Sequence, residues 1–323
     1  MKNIAIIEVY PNKNSRHSLK NAIDAHLRNA LRLQYLINQC FDFDCDLLLD
    51  EADFVKAILT SKKYDCFILA YASGYAPFSL IKKLIEKNSL AIKIVLVNEY
   101  NNVYYISGFR NSYIIQNFEN LIENKNVIRS FFANLNVLLF SDNFLIQKNV
   151  QKKYDCVYYG TYRKNREKYF VEYLKNNIYL STSSKNIKKY DNLGCTPKYI
   201  KKLSWEESKE TLKLFKYSLY IEDEYTHNVY NCLANRFYEA VFCKTVVFFD
   251  INCKNTVEKS ALNIDDFFYV NSYKELMNKI NNSCYEVLYK KQKYFEQKVI
   301  DDKKYWESSI LDIIKNIVMR KFN

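Results

Sequence analysis

Apolar and polar positions along the chain follow two recurring patterns, short unbroken apolar runs and longer stretches with helical spacing. Residues 4–10, IAIIEVY, form a near-continuous apolar run, which suits a parallel strand buried on both faces. Leu19, Ile23, Leu27, Leu31, Leu33, Leu36 and Ile37 then recur at helical spacing over residues 18–39. The alternation continues with a strand at 66–72 (CFILAYA), a helix at 77–87 opened by Pro77, and a strand at 93–99 (KIVLVNE). A helix near 112–122 and a strand at 136–140 (NVLLF) close this first series. Residues 141–153 break the pattern and read as a linker.

A second series follows. Strands are expected at 156–162 and 178–182 with a helix at 166–174 between them, then a polar loop through Gly194 and Pro197. Ser204 and Glu207 form a capping box for a helix over 205–215. Next come a strand at 218–222, a helix carrying Asn235, Arg236 and Glu239, a strand at 245–250, a short apolar run at 267–270 and a helix from Ser272. The last helix contains Trp306, Ile310, Ile313, Ile314 and Ile317. Two alternating series predict two α/β domains, each a parallel sheet flanked by helices. The boundaries fall at 1–145 and 146–302, with the closing helix, about 303–323, packing back on the first domain.

Composition narrows the picture. A chain of 323 residues exceeds one comfortable hydrophobic core. Its 49% hydrophobic and 26% charged content is that of a globular protein. No apolar run approaches the roughly 20 residues that span a bilayer, and MKNIAIIEVYPNKN is too short in its apolar part for a signal peptide. The nine cysteines include no CxxC pair, so reduced thiols in a cytoplasm are expected. With four glycines there is no GxGxxG, no GxxxxGK[ST] and no GxSxG, which argues against a dinucleotide fingerprint, a P-loop and a serine elbow. The net charge of +12 suits a polyanionic partner, although a Lys-, Asn- and Tyr-rich bias produces such an excess equally well.

Open α/β sheets bind ligands beyond the carboxyl ends of their strands, and three such ends carry suitable residues. After the strand at 156–162 come Gly160, Thr161, Tyr162, Arg163, Lys164, Asn165, Arg166 and Glu167. Cations at a helix start oppose the dipole unless an anion binds there. After 218–222 lie Glu222, Asp223, Glu224 and Tyr225, then Arg236 and Glu239, which share one helix face. That pair reads either as a surface ion pair or as a cation for phosphate beside an acid for ribose. The third end is Asn98-Glu99-Tyr100, where Glu99 is either a solvated loop acid or a general base. His17 and His26 read as plain histidines.

These segments resemble the T-even phage DNA β-glucosyltransferases. Gly160-Thr161-Tyr162-Arg163 with Arg166-Glu167 looks like that family's G-S-F-R…R-E, one residue shorter between the arginines. Arg236-Phe237-Tyr238-Glu239 looks like its R-x-W-E helix, Phe268-Tyr269-Val270-Asn271 like its F-Y-V-N, and Trp306 like the tryptophan of its closing helix. The likeness covers about 153–318; spore-coat-type GT-B glycosyltransferases share part of it. It implies an α/β GT-B fold of two Rossmann-like domains facing across a cleft, and an inverting transfer of sugar, glucose by analogy, from a UDP-sugar to a hydroxymethylated base in duplex DNA. By the same resemblance Arg163, Arg166 and Arg236 hold the diphosphate, with Gly160 and Thr161 beside it. Glu239 meets the ribose, and Glu99 stands where the family has its catalytic aspartate. Mg2+ or Mn2+ could assist, though no DxD-like pair is placed to bind it. A monomer is expected. Polysaccharide, protein or small-molecule acceptors are the alternative, and an inactive nucleotide-sugar or nucleic-acid-binding module is a second one.

Overall fold

The computed structural model describes residues 2–8, 25–70, 78–97, 111–116, 127–129, 150–202, 210–230, 233–260 and 262–320. The chain divides into two compact units, Met1–Leu139 with Lys303–Asn323, and Phe140–Asp302.

In the first unit the strands are β1 (Lys2–Ile7), β2 (Phe43–Leu48), β3 (Cys66–Ala70), β4 (Ile92–Val97), β5 (Ser112–Gln116) and β6 (Val127–Arg129), with helices α1 (Ala25–Cys40), α2 (Glu51–Leu59) and α3 (Phe78–Lys87) between them. They form one parallel sheet in the order β2-β1-β3-β4-β5-β6. The apolar runs sit where they are fully buried, at Ile4–Ile7 and Cys66–Leu69. Three elements escaped the sequence pattern, the three-residue β6 among them. In β2, Asp44 and Asp46 alternate with buried Cys45 and Leu47, which is the signature of an edge strand with one wet face. Then Asp50 and Asp53 close a full capping box on α2.

The helix expected near 112–122 is corrected: Ser112–Gln116 is a strand. Ile114 and Ile115 are β-branched and buried, and Lys93 to Val97 of β4 pair with this segment in register. Residues 117–122 and the expected strand at 136–140 lie outside the described residues.

The second unit contains β7 (Tyr154–Tyr159), α4 (Glu167–Tyr173), β8 (Ile178–Thr182), α5 (Ser184–Asn192), β9 (Lys198–Lys201), β10 (Phe215–Tyr220), α6 (Asn235–Phe242), β11 (Val246–Asp250), α7 (Lys254–Lys259), β12 (Tyr269–Val270), α8 (Tyr273–Asn281), α9 (Tyr285–Gln292) and α10 (Tyr294–Arg320). Its sheet is also parallel, in the order β12-β11-β10-β7-β8-β9. The stretch read as a polar loop through Gly194 and Pro197 holds α5 and β9. Only Tyr190 of α5 is buried, so its apolar stripe is too thin to see, and Gly194, at φ 75°, ends it in the left-handed region. The Ser204–Glu207 capping box lies outside the described residues.

The long closing helix changes allegiance along its length. Ile310, Leu311, Ile314, Ile317 and Val318 join the apolar cluster built by Ile4, Ile6, Ile68 and Ile94 of the first sheet.

Candidate functional site

β7 and β10 are neighbours in register, Tyr217 opposite Cys156 and Ser218 opposite Val157. The segments that leave their carboxyl ends, Gly160–Arg166 and Ile221–Asp223, are therefore brought side by side. The acids of one segment meet the arginines of the other.

Arg166 is 3% exposed. Its Nε donates to Asp223 Oδ2 at 3.0 Å and its Nη2 donates to Glu222 Oε2. Glu222 and Asp223 are themselves buried, at 1% and 0% exposure. Arg163 lies farther out, with its side chain 47% exposed and Nη1 3.9 Å from Asp223 Oδ2. Arg236 comes in from α6, where Nη2 donates to Glu222 Oε1 and to the Ile221 carbonyl. Three guanidinium groups thus surround two carboxylates.

Tyrosines shape the floor of this cluster. The Tyr220 hydroxyl accepts from the Ala234 N–H at 2.7 Å and so caps α6, a helix start that has no side-chain cap of its own. The Tyr220 ring also lies under the Arg236 guanidinium, 4.5 Å from its centroid. Tyr159 donates to the Arg236 carbonyl at 2.5 Å. A side chain at Gly160 would place its Cβ 2.9 Å from the Tyr158 hydroxyl, so only glycine fits over this floor, with Arg236 Nη1 3.9 Å away. The Tyr158 hydroxyl and Arg236 Nε are buried and carry no hydrogen bond among the described residues.

Electrostatics follow from this packing. Burial alone would raise the Asp223 carboxyl, but the Thr226 N–H and Arg166 hold it below the ordinary carboxylate range. Burial disfavours the Arg236 cation, yet Glu222 keeps it firmly protonated. Glu239, one turn along α6, is half-buried, and burial pushes its carboxyl up to about 7 against the pull of Arg236 and Tyr159.

Behind the acids lies a feature that spacing did not reveal. Asp223 Oδ1 accepts from the Thr226 N–H at 3.0 Å and from its hydroxyl at 3.1 Å, which starts a π-helical turn over Thr226–Tyr230. His227 in that turn is buried, with Nδ1 3.0 Å from Thr256 Oγ1 and Nε2 3.7 Å from Cys253 Sγ.

The structure therefore brings together Gly160, Arg163, Arg166 and Arg236, with Glu239 on the same helix and Thr161 exposed on the turn beside Gly160. Glu222 and Asp223 were visible as strand-end acids, though neither could be singled out. Tyr158, Tyr220 and His227 were missed because apolar runs hide tyrosines and a lone histidine carries no spacing. Glu99 and His17 lie outside the described residues. Among the described residues no three His, Cys, Asp or Glu side chains gather to hold a metal ion, and no helix is long and apolar enough to cross a membrane.

No family model and no curated protein sequence matches the chain. Solved structures do. A T4 phage β-glucosyltransferase with UDP and Mn2+ aligns over 98% of this chain and 99% of its own, at TM-score 0.65 and 16% identity. An α-glucosyltransferase with UDP-glucose and DNA containing an abasic site aligns over 97% and 99%, at TM-score 0.59 and 12% identity. Another α-glucosyltransferase structure, with UDP and a DNA 13-mer containing an HMU base, aligns over 98% and 100%, at TM-score 0.61 and 12% identity. The fold is GT-B. The arginine cluster accordingly sits in the second α/β unit of a GT-B chain, at the carboxyl ends of adjacent parallel strands, the ligand-binding edge of such sheets.

Proposed function

We propose that this GT-B protein is a glycosyltransferase that takes a hexose from a UDP-sugar, UDP-glucose in the simplest case, and transfers it to DNA. The observation that carries the reading is the convergence of Arg163, Arg166 and Arg236 on the carboxyl ends of β7 and β10. Three cations face two carboxylates there, so the cluster retains positive charge for an anion. Gly160 lets Tyr158 and Arg236 pack against the backbone of this turn, and buried Arg236 Nε still has a hydrogen to donate. The solved structures of like fold, whose ligands are UDP, UDP-glucose and DNA, point the same way.

In this reading Arg163 and Arg236 meet the diphosphate directly, while Arg166 keeps Glu222 and Asp223 in place beneath it. Thr161 adds a hydroxyl beside Gly160, and Glu239 accepts from the ribose. The acceptor is the hydroxyl of a hydroxymethylated base turned out of the duplex. Glu99 takes the hydroxyl proton, the acceptor oxygen bonds to the anomeric carbon, and the bond from that carbon to the diphosphate breaks with inversion. The arginines stabilise the charge that develops on the leaving diphosphate.

Transfer of labelled glucose from UDP-glucose to duplex DNA with hydroxymethylcytosine, with and without Mg2+ or Mn2+, tests the reading. Labelled DNA is expected, and Glu99→Gln should abolish the label while donor binding persists. A protein whose melting temperature responds to neither UDP nor any UDP-sugar would end the proposal.

A further inference from the structure

The carboxylates of the cluster are held from behind as well as from the front. Asp223 spends one oxygen on Arg166 and the other on the Thr226 backbone and hydroxyl. The next residue, His227, returns its own N–H to the Asp223 carbonyl at 3.2 Å. The residue is 5% exposed, and its ring spans two separate elements, Thr256 on α7 at 3.0 Å and Cys253, just after β11, at 3.7 Å. Cys253 Sγ in turn donates to the Tyr220 carbonyl at 3.7 Å, the last residue of β10 before the acids. Tyr220 also supports Arg236. One imidazole therefore ties together the turn after the acids, the strand before them and the element that follows the neighbouring strand. Burial keeps the ring neutral, although Glu222, Asp223 and Asp250 all pull the other way. A neutral ring in this place can bond to Thr256 without drawing Glu222 or Asp223 away from the arginines.

We propose that His227 is a positioning residue of the donor site, fixing Glu222 and Asp223, and through them Arg166 and Arg236, by its bridge to Thr256 and Cys253. The inference rests on the donor reading given above. Thr256 and Cys253 are both 0% exposed, so they act on a ligand only through what they hold.

The test measures UDP-glucose affinity by calorimetry, with melting temperature alongside, for wild type, His227→Leu, His227→Asn, Thr256→Val and the His227→Leu/Thr256→Val double variant. His227→Leu is expected to weaken donor binding about tenfold, the scale of one lost buried hydrogen bond and its reorganisation. His227→Asn keeps a polar atom near Thr256 and should recover part of that loss. Because the two side chains act as one bridge, the double variant should bind no worse than the weaker single variant. A lowered melting temperature with unchanged affinity in the folded variants would make His227 merely structural and overturn the inference, and additive losses in the double variant would overturn the bridge. Wild type that binds neither UDP nor UDP-glucose would remove the donor reading and this inference together, an outcome distinct from the variants' failing alone. If His227→Leu does not fold, Thr256→Val and His227→Asn still decide the matter by the same affinities.

Discussion

Arg163 and Arg166 are separated by one short turn, and burial gives them opposite parts. Arg166 is 3% exposed and bonds two carboxylates that are themselves at 1% and 0%. Removing it takes away the buried cation the two acids share, leaving Glu222 to Arg236 and Asp223 to Thr226 and the distant Arg163. Arg166→Ala should therefore lower unfolding free energy by about 3 kcal/mol in urea melts. Arg163, with nearly half its side chain in water, touches only the edge of Asp223. Arg163→Ala should leave stability within about 0.5 kcal/mol of wild type and act on UDP-glucose affinity instead. Equal destabilisation by both would refute this division. Glu239 offers a second, pH-dependent check. Burial raises its carboxyl from an ordinary 4.5 to about 7, so the folded chain holds a proton that the unfolded chain releases between those values. The sign follows directly: the stabilising contribution is complete below about 4.5 and is lost as pH rises through 7. Relative to Glu239→Gln, wild type should be less stable at pH 8 than at pH 5. A flat difference between the two proteins across that range would mean the carboxyl is solvated.

Elements were legible in the sequence in proportion to how completely they are buried. The runs that became β1, β3, β4, β8 and β11 are mostly buried on both faces and stood out. β2 has a wet edge, β6 is three residues long, and α5 buries one tyrosine, so their patterns were weak. Arg163, Arg166 and Arg236 could be picked out by residue type and strand-end position. The carboxylate pair that organises them could not, because register between β7 and β10 is a tertiary fact. Gln292 is another residue of this kind. β12 is two residues long and pairs only with Phe249 and Asp250, so it leaves Val247 of β11 uncovered on that side. The Gln292 amide fills the gap, donating to the Val247 carbonyl and accepting from its N–H, both at 2.8 Å, while 5% exposed. Gln292→Leu would strand two buried backbone groups, and a loss of about 2–4 kcal/mol in urea unfolding is expected. A loss under about 0.5 kcal/mol would show that water replaces the amide there.

At the scale of the whole molecule, the two sheets and the return of α10 to the first core describe a GT-B chain, and the remaining global property is charge. The net +12 is larger than a dianionic donor held by one arginine cluster requires. Among the described residues, lysines such as Lys164, Lys175, Lys185 and Lys188 are exposed, where they can act on an extended polyanion through many weak phosphate contacts. Such contacts release counterions, and the logarithm of the binding constant then falls with the logarithm of salt by about 0.9 per phosphate neutralised. A duplex held by about four phosphates should therefore lose roughly a hundredfold in affinity between 50 and 200 mM salt. UDP-glucose, which in the proposed reading brings one diphosphate to a partly buried site, should shift far less over the same range. Titrating duplex DNA and UDP-glucose separately at several salt concentrations compares the two slopes in one preparation. A steep slope for DNA with a shallow one for the donor supports DNA as acceptor. A DNA slope no steeper than the donor's would mean that the excess charge reflects composition alone, and the acceptor would then have to be sought among smaller molecules.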